Sequence, residues 1–352
     1  MLTYSLSLLI LIFLVASITV WVAGVHLANA TDVLTTRWEL GEAMGGLILL
    51  AIVTNLPEIA ITVSGALHNN LGVAIGNILG GIAIQTLVLA YIDFFGVGSK
   101  AAFTYIAASL TLVLEGLLVM SILSIVIMGS QLKFTASLAG ISPATLMIVI
   151  FWVGGLWLIN RTRDALPWHN KGHALNAQTH ARGHAEKQKA LIAKQHKISS
   201  QYTVLVFGIC ALLTLVAGIF LEASGSAIAQ HIGIDGVLFG ATILAAATSL
   251  PEVSTGMSSV KLGDYQLAIS DIFGGNAFLP VLFLLAELIS GTPILQNAQK
   301  TDIYLTALGI LLTAVYTAGL IFRAQRQVFN MGIDSIIVII IFVLGIIGLL
   351  QI

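Results

Sequence analysis

The chain has 352 residues, of which 58% are hydrophobic and 9% charged, with a formal net charge of −1. A soluble globular domain carries roughly 25% charged residues, so this composition cannot build a water-facing surface. It also excludes a basic nucleic-acid-binding face, and the apolar residues fall in runs near the ~20 needed to cross a hydrocarbon core.

In chain order, apolar runs broken by polar or Gly-containing connections predict ten membrane helices. The first spans 5–26; it has no basic n-region and no clear cleavage site, which predicts a retained helix rather than a signal peptide. Four more follow at 41–66, 71–95, 101–129 and 138–160. A polar interval at 161–202 separates them from helices at 203–222, 236–260, 265–290, 302–322 and 333–351. The expected organisation is an all-α transmembrane fold: a five-helix repeat over 1–160, a loop over 161–202, and a second repeat over 203–352. The lone cysteine, Cys210, lies in an apolar stretch and reads as a packing residue.

Ten spans make the connections alternate between two sides. One side then receives 13 of the 15 Lys and Arg, and only Lys133 and Lys300 fall on the other. The positive-inside rule therefore predicts a cytoplasmic 161–202 loop and outward-facing termini. Compactness suggests a bacterial inner membrane.

The two halves are related. The run from Ala51 to Glu58, AIVTNLPE, matches Ala245 to Glu252, AAATSLPE, at an offset of 194. The same register pairs Ala23-Gly24 with Ala217-Gly218, Gly46 with Gly240, Ser64 with Ser258, and Gly80-Gly81 with Gly274-Gly275. Five helices per half is an odd number, so the second copy is expected to enter the membrane from the opposite side. Inverted repeats of this kind place a substrate near the bilayer midplane in secondary transporters.

Glu58 and Glu252 stand at equivalent places in strongly apolar helices, where an ionised carboxylate is costly unless it faces a cavity, a cation or a proton. Helical spacing puts Thr54 and Asn55 beside Glu58, with Thr62 one turn on, and Thr248 and Ser249 beside Glu252. Pro57 and Pro251 remove an N–H donor and are expected to kink each helix and free carbonyl oxygens. Together these groups offer an oxygen-rich site for a hard cation such as Ca²⁺ or Na⁺. The Gly pairs are expected to let the third helix of each repeat approach the kinked helix. That would bring the equivalent residues Asn77 and Asp271, with Gln85 and Asn276, toward the same centre. Glu115, Glu222 and Glu287 are read as acids without a repeat partner of like chemistry, and as structural pairings.

The doubled Thr-(Asn/Ser)-Leu-Pro-Glu motif with its Gly-rich following helix resembles the α-repeats of the calcium/cation antiporter superfamily, which holds sodium/calcium and cation/proton exchangers. The resemblance covers roughly 23–95 and 217–290. It implies a secondary antiporter working by alternating access, with Glu58 and Glu252 as central cation ligands. Thr54, Asn55, Thr248 and Ser249 would add hydroxyl, amide or carbonyl oxygens. The family's third helix usually reads Gly-Asn-x-x-Gly-Ser-Asn-x-x-Asn/Asp. Here the Ser positions are Gly81 and Gly275, and the final positions are Gln85 and Leu279. Two carboxylates can still alternate between one Ca²⁺ and two protons, so the expected function is Ca²⁺ exchange against H⁺ or Na⁺. An antiporter for another cation (Na⁺/H⁺, K⁺ or Mn²⁺) and a channel with a carboxylate filter are the alternatives. An enzyme is not expected, because the acids carry no hydrolytic signature. The expected partners are inorganic cations and membrane lipid, with no cofactor.

The long loop carries His169, His173, His180, His184 and His196. The first four form two pairs spaced as on one helix face, which could bind Zn²⁺ or Ni²⁺. The favoured reading is a solvated basic linker near anionic headgroups.

Overall fold

The computed structural model describes residues 4–37, 50–132, 141–162 and 199–352 of the chain. The histidine-bearing interval from 163 to 198 lies outside the described residues.

The first half begins with the long helix α1 (Leu6–Arg37), then α2 (Leu50–Thr54), α3 (Leu56–Leu67) and α4 (Leu71–Ile92). A π-helical turn, Asp93–Val97, extends α4, and α5 (Phe103–Ala107), α6 (Leu110–Gln131) and α7 (Pro143–Thr162) follow. The second half opens with α8 (Ser200–Ile232). Next come α9 (Gly236–Phe239), a π-helical turn at Gly240–Leu244, α10 (Ala245–Thr248) and α11 (Leu250–Lys261). Then come α12 (Tyr265–Phe278), α13 (Leu282–Ser290) and α14 (Lys300–Phe322). A two-stranded ribbon, Gln327–Val328 against Met331–Gly332, leads into α15 (Ile333–Leu349).

Seven helices among the described residues are long and apolar enough to cross a membrane, and Gly236–Lys261, bent by 42°, makes an eighth. The repeat offset seen in sequence returns in element boundaries. Leu6 and Ser200 open α1 and α8, Leu56 and Leu250 open α3 and α11, and Leu71 and Tyr265 open α4 and α12, each pair separated by 194.

Several boundaries depart from expectation for identifiable reasons. The helices expected at 5–26 and 203–222 run to 32 and 33 residues. A 33-residue helix is about 50 Å long, well beyond the ~30 Å hydrocarbon core, so it tilts or projects beyond the membrane. Its C-terminus is set by Gly233, whose φ of 71° lies in the left-handed region that glycine tolerates. The helix expected at 101–129 splits into α5 and α6, with Ser109 capping α6 through a bond from the Leu112 N–H.

Where kinked but continuous helices were expected at 41–66 and 236–260, the chain breaks outright. Asn55 and Ser249 leave helical geometry, and new helices start with Pro57 and Pro251 in their first turn. A first-turn proline forfeits no hydrogen bond, because the opening N–H groups of a helix have no intrahelical acceptor. Two short helices end to end are therefore satisfied where one continuous helix would not be.

The packing centre is α4, with 89% of its apolar span buried, against 22% for α7 and 28% for α8. Lipid offers no hydrophobic drive between helices, so close backbone contact carries association. Gly76 and Gly80 supply it. A Cβ on Gly76 would meet the Val237 backbone, and one on Gly80 the Ala241 backbone. These partners belong to the broken helix of the opposite half. The approach of each third helix to a kinked helix through its glycines is thus made across the two halves, with Gly275 of α12 likewise set against Asn55.

Candidate ion-binding site between two broken helices

Each break places a carboxylate in the first turn of a new helix: Glu58 in α3 and Glu252 in α11. The positive end of a helix macrodipole favours negative charge there. The two breaks are stitched alike. The Asn55 N–H and Nδ2 both donate to the Ala51 carbonyl, at 3.3 and 2.6 Å. The Ser249 N–H and Oγ both donate to the Ala245 carbonyl, at 3.0 and 2.8 Å.

Glu58 is 0% exposed and Glu252 1%, and none of their four carboxylate oxygens has a hydrogen-bond partner within normal geometry. Glu252 lies close enough to both Glu58 and Asp271 to feel them as like charges. The hydroxyl of Thr248 faces Glu58, while its hydrogen is directed to the Ala245 carbonyl (3.2 Å) and the Asn77 Oδ1 (3.5 Å). A buried carboxylate normally gathers hydrogen bonds. Two that gather none, within electrostatic reach of each other, leave four acceptor oxygens unused.

The neutral groups are linked to one another across the two halves. Gln85 reaches Asn55 at 3.5 Å, a long contact, and its Oε1 stays unpartnered. A Cβ on Gly275 would sit 3.0 Å from the Asn55 Nδ2 and 3.4 Å from the Gln85 Oε1, so this glycine keeps room for the amides. Asn276 donates to the Thr86 hydroxyl at 3.2 Å and leaves its Oδ1 unpartnered. Asp271 accepts from Thr255 at 2.9 Å. Thr54 turns its hydroxyl to the Ala51 carbonyl at 3.4 Å, as Ser249 does to Ala245 at 2.8 Å. The Thr62 hydroxyl, one turn beyond Glu58, is buried without a partner.

All ten residues singled out from the sequence are therefore buried. Two hydroxyls at the edge of the group, Thr86 and Thr255, were not singled out. Thr255 stands three residues after Glu252 on the same helix, a spacing that could have flagged it.

The remaining acids need one correction. Glu287 does have a repeat partner of like chemistry, because the offset of 194 falls on Asp93. The two accept the same donor set. Asp93 takes the N–H groups of Phe103 (3.1 Å) and Gly332 (2.7 Å) and the Ser335 hydroxyl (2.6 Å). Glu287 takes those of Ser142 (2.9 Å) and Ile294 (2.9 Å) and the Thr145 hydroxyl (2.7 Å). Glu222 accepts from Ser64 at 2.9 Å and Asn70 at 3.1 Å. Cys210 packs with Ala23, Leu27 and Val53.

A helical membrane bundle with a carboxylate pair between two broken helices is the build of an ion transporter. The family model described as sodium/calcium exchanger protein matches residues 8–159 and 202–350, and the chain belongs to that family. Among named relatives, the inner membrane protein YrbG of Escherichia coli (strain K12) is 24% identical over 307 residues, covering 86% of this chain and 85% of its own. The putative antiporter CaxA of Alkalimonas amylolytica is 24% identical over 270 residues, covering 74% of this chain and 73% of its own. Among solved structures, the H⁺/Ca²⁺ exchanger CAX superposes with a TM-score of 0.61 at 13% identity, over 97% of this chain and 88% of that one. The sodium-calcium exchanger NCX_Mj, soaked with 10 mM Na⁺, gives 0.60 at 14% identity, over 98% and 99%. At those identities the superpositions establish the shared fold.

Proposed function

We propose that this protein is a secondary antiporter that moves Ca²⁺ against H⁺ or Na⁺ by alternating access. One observation carries the reading: two equivalent, fully buried glutamates lie within electrostatic reach of one another, with no carboxylate oxygen in a hydrogen bond of normal geometry. Such a pair is costly to hold empty in a dry interior and inexpensive when a cation or protons neutralise it. Only loaded forms then switch, and that restriction turns a two-faced binder into an exchanger.

In this reading Glu58 and Glu252 are the central ligands. Asn55, Gln85, Asn77, Asn276, Asp271, Thr54, Thr248 and Ser249 supply further oxygens. A Ca²⁺ ion takes 6–8 oxygen ligands, and side chains of this set carry more than enough oxygens to supply them. The names of CAX and NCX_Mj pair Ca²⁺ with H⁺ in one relative and with Na⁺ in the other, and both coupling ions are kept.

The architecture proposed is ten spans in two inverted five-helix repeats. The eight long spans are joined by α15 and by the segment ending in α3, and the matching helix starts and matching carboxylate donor sets favour the repeat. The name of the relative YrbG, an inner membrane protein, supports a bacterial inner membrane; the 161–202 loop is cytoplasmic and both termini outside under the positive-inside rule.

The test is ⁴⁵Ca²⁺ uptake into proteoliposomes under an imposed H⁺ or Na⁺ gradient. Removing one member of a buried charge constellation costs roughly 3–5 kcal/mol, so Glu58→Gln and Glu252→Gln should each lower apparent Ca²⁺ affinity by at least about 100-fold. Uptake unchanged in either variant would defeat the assignment.

A further inference from the structure

The second half lacks an amide where the first half has one. Gln85 of α4 falls on Leu279 at the repeat offset of 194. Asn276 stands three residues before Leu279, and its own mate is Ile82. The Asn276 Nδ2 reaches the carbonyl of that mate, at 3.5 Å. In the proposed plan of two halves related by a two-fold axis, a residue touches its own equivalent only beside the axis. Asn276 therefore stands at the seam where a site shared by the repeats belongs. Glu58 and Glu252, mates that feel one another as like charges, mark the same seam.

The orientation of the Asn276 amide is dictated by what it meets. The Thr86 hydroxyl donates to the Ile82 carbonyl at 2.8 Å, the back-bond of a helical threonine to the residue four before it. With its hydrogen used, the Thr86 Oγ1 can only accept, and the Asn276 Nδ2 donates to it at 3.2 Å. Both atoms in front of the amide are thus acceptors, so its NH₂ end must face them and its oxygen must face away. That Oδ1 is buried and has no partner. An amide held by its nitrogen presents its oxygen, the end that a cation takes. Thr86 is itself fully buried. Its repeat mate is Pro280, so the Thr86–Asn276 pair has no copy at the equivalent positions, Pro280 and Ile82.

We infer that Thr86 is a positioning residue for ion binding: it holds Asn276 with the amide oxygen turned to the cation and the amino group turned away. It acts through Asn276 rather than as a ligand. The inference rests on the antiporter reading, with Asn276 among the ligands, and adds the residue that sets that ligand's orientation. Without the hydroxyl, Asn276 keeps only the long contact to Ile82. Its amino end is then free to turn toward the ion, where an N–H donor opposes a cation.

The experiment measures ⁴⁵Ca²⁺ equilibrium binding in detergent and exchange in proteoliposomes. It compares wild type, Thr86→Val, Thr86→Ala, Thr86→Ser, Asn276→Ala and the double variant Thr86→Val/Asn276→Ala. Thr86→Val keeps the branched shape and removes the hydroxyl. It should raise the Ca²⁺ dissociation constant and KM roughly three- to tenfold, the factor one ordinary hydrogen bond supports, with turnover within about twofold. Thr86→Ala should do the same, which keeps the test available where Val disturbs the contact between α4 and α12. Thr86→Ser retains the hydroxyl and should bind like wild type. In the Asn276→Ala background, Thr86→Val should change affinity no further, because a residue acting through another is silent once that other is gone. Wild-type affinity in both Thr86→Val and Thr86→Ala would overturn the inference, as would Thr86→Ser binding as weakly as Thr86→Val, or effects that multiply in the double variant. Loss of turnover or thermal stability at unchanged affinity would assign Thr86 to packing alone and overturn it too. A wild type that binds Ca²⁺ without exchanging it refutes the antiporter reading and leaves the Thr86 series to decide the inference; one that binds none refutes both.

Discussion

At the scale of single residues, the buried carboxylates divide by whether they are satisfied. Asp93 and Glu287 each hold two backbone N–H groups and one hydroxyl. Each ties the end of a central helix to the start of another element: Asp93 to α5 and α15, Glu287 to α7. The carboxylates of Glu58 and Glu252 hold no hydrogen bond of normal geometry. In the proposed reading, structural acids close contacts and ion-handling acids leave them open. Substituting Asp93 by Ala strands three buried donors, and each unsatisfied buried group costs about 1–3 kcal/mol. Asp93→Ala and Glu287→Ala should therefore lower the thermal unfolding midpoint in detergent markedly, with Asp93→Asn intermediate because its amide oxygen still accepts. A midpoint equal to wild type would mean the bonds are replaced by water.

The same distinction explains what the sequence made legible. Glu58 and Glu252 stood out because Pro and Glu recur in one register within apolar runs. The Asp93–Glu287 pair keeps that register but changes residue type, and its value lies in backbone donors from distant segments, Gly332 and Ser142, which leave no trace in composition. Among the described residues, helix existence was readable from apolar length. The breaks at Asn55 and Ser249 were placed as kinks at proline, because proline signals disrupted bonding without saying whether the helix bends or restarts. The 163–198 interval, with all five loop histidines, lies outside the described residues.

At the scale of elements, the two halves are joined where α4 crosses the broken helix of the other half. Gly80 and Gly76 meet Ala241 and Val237 at backbone distance, while Gly81 faces only the end of Leu279, at 3.5 Å. A side chain at Gly80 must push the crossing apart, since the atoms it meets are main chain and cannot turn away. Overpacking of this kind costs typically 1–3 kcal/mol. It would also displace Asn77 and Gln85, which α4 holds against Thr248 and Asn55. Gly80→Ala should therefore lose most transport and some thermal stability. Gly154→Ala makes the control, because α7 is open there with nothing within 4 Å; it should be neutral or slightly stabilising, as Ala is the better helix former. Equal behaviour of the two variants in an uptake assay would show that the close crossing is not required.

At the scale of the whole molecule, the proposed plan of two inverted halves fixes an orientation, and two lysines can report it. Lys261 ends α11 and Lys300 begins α14, and both are exposed. Between them the chain crosses once, through α12 and α13, whose shared apolar span is Tyr265–Ser290. One crossing puts the two lysines on opposite faces, with Lys261 on the basic, cytoplasmic side under the positive-inside rule. The native thiol is no obstacle: Cys210 is 9% exposed among Ala23, Leu27 and Val53, and Cys210→Ala should be tolerated as a lipid-seam change. In that background, a membrane-impermeant maleimide added to intact spheroplasts should label Lys300→Cys at once and Lys261→Cys only after permeabilisation. The reverse pattern would invert the whole molecule without disturbing the repeat. Labelling of both from one side would remove a crossing, leave the halves in parallel, and break the two-sided access that the paired glutamates need.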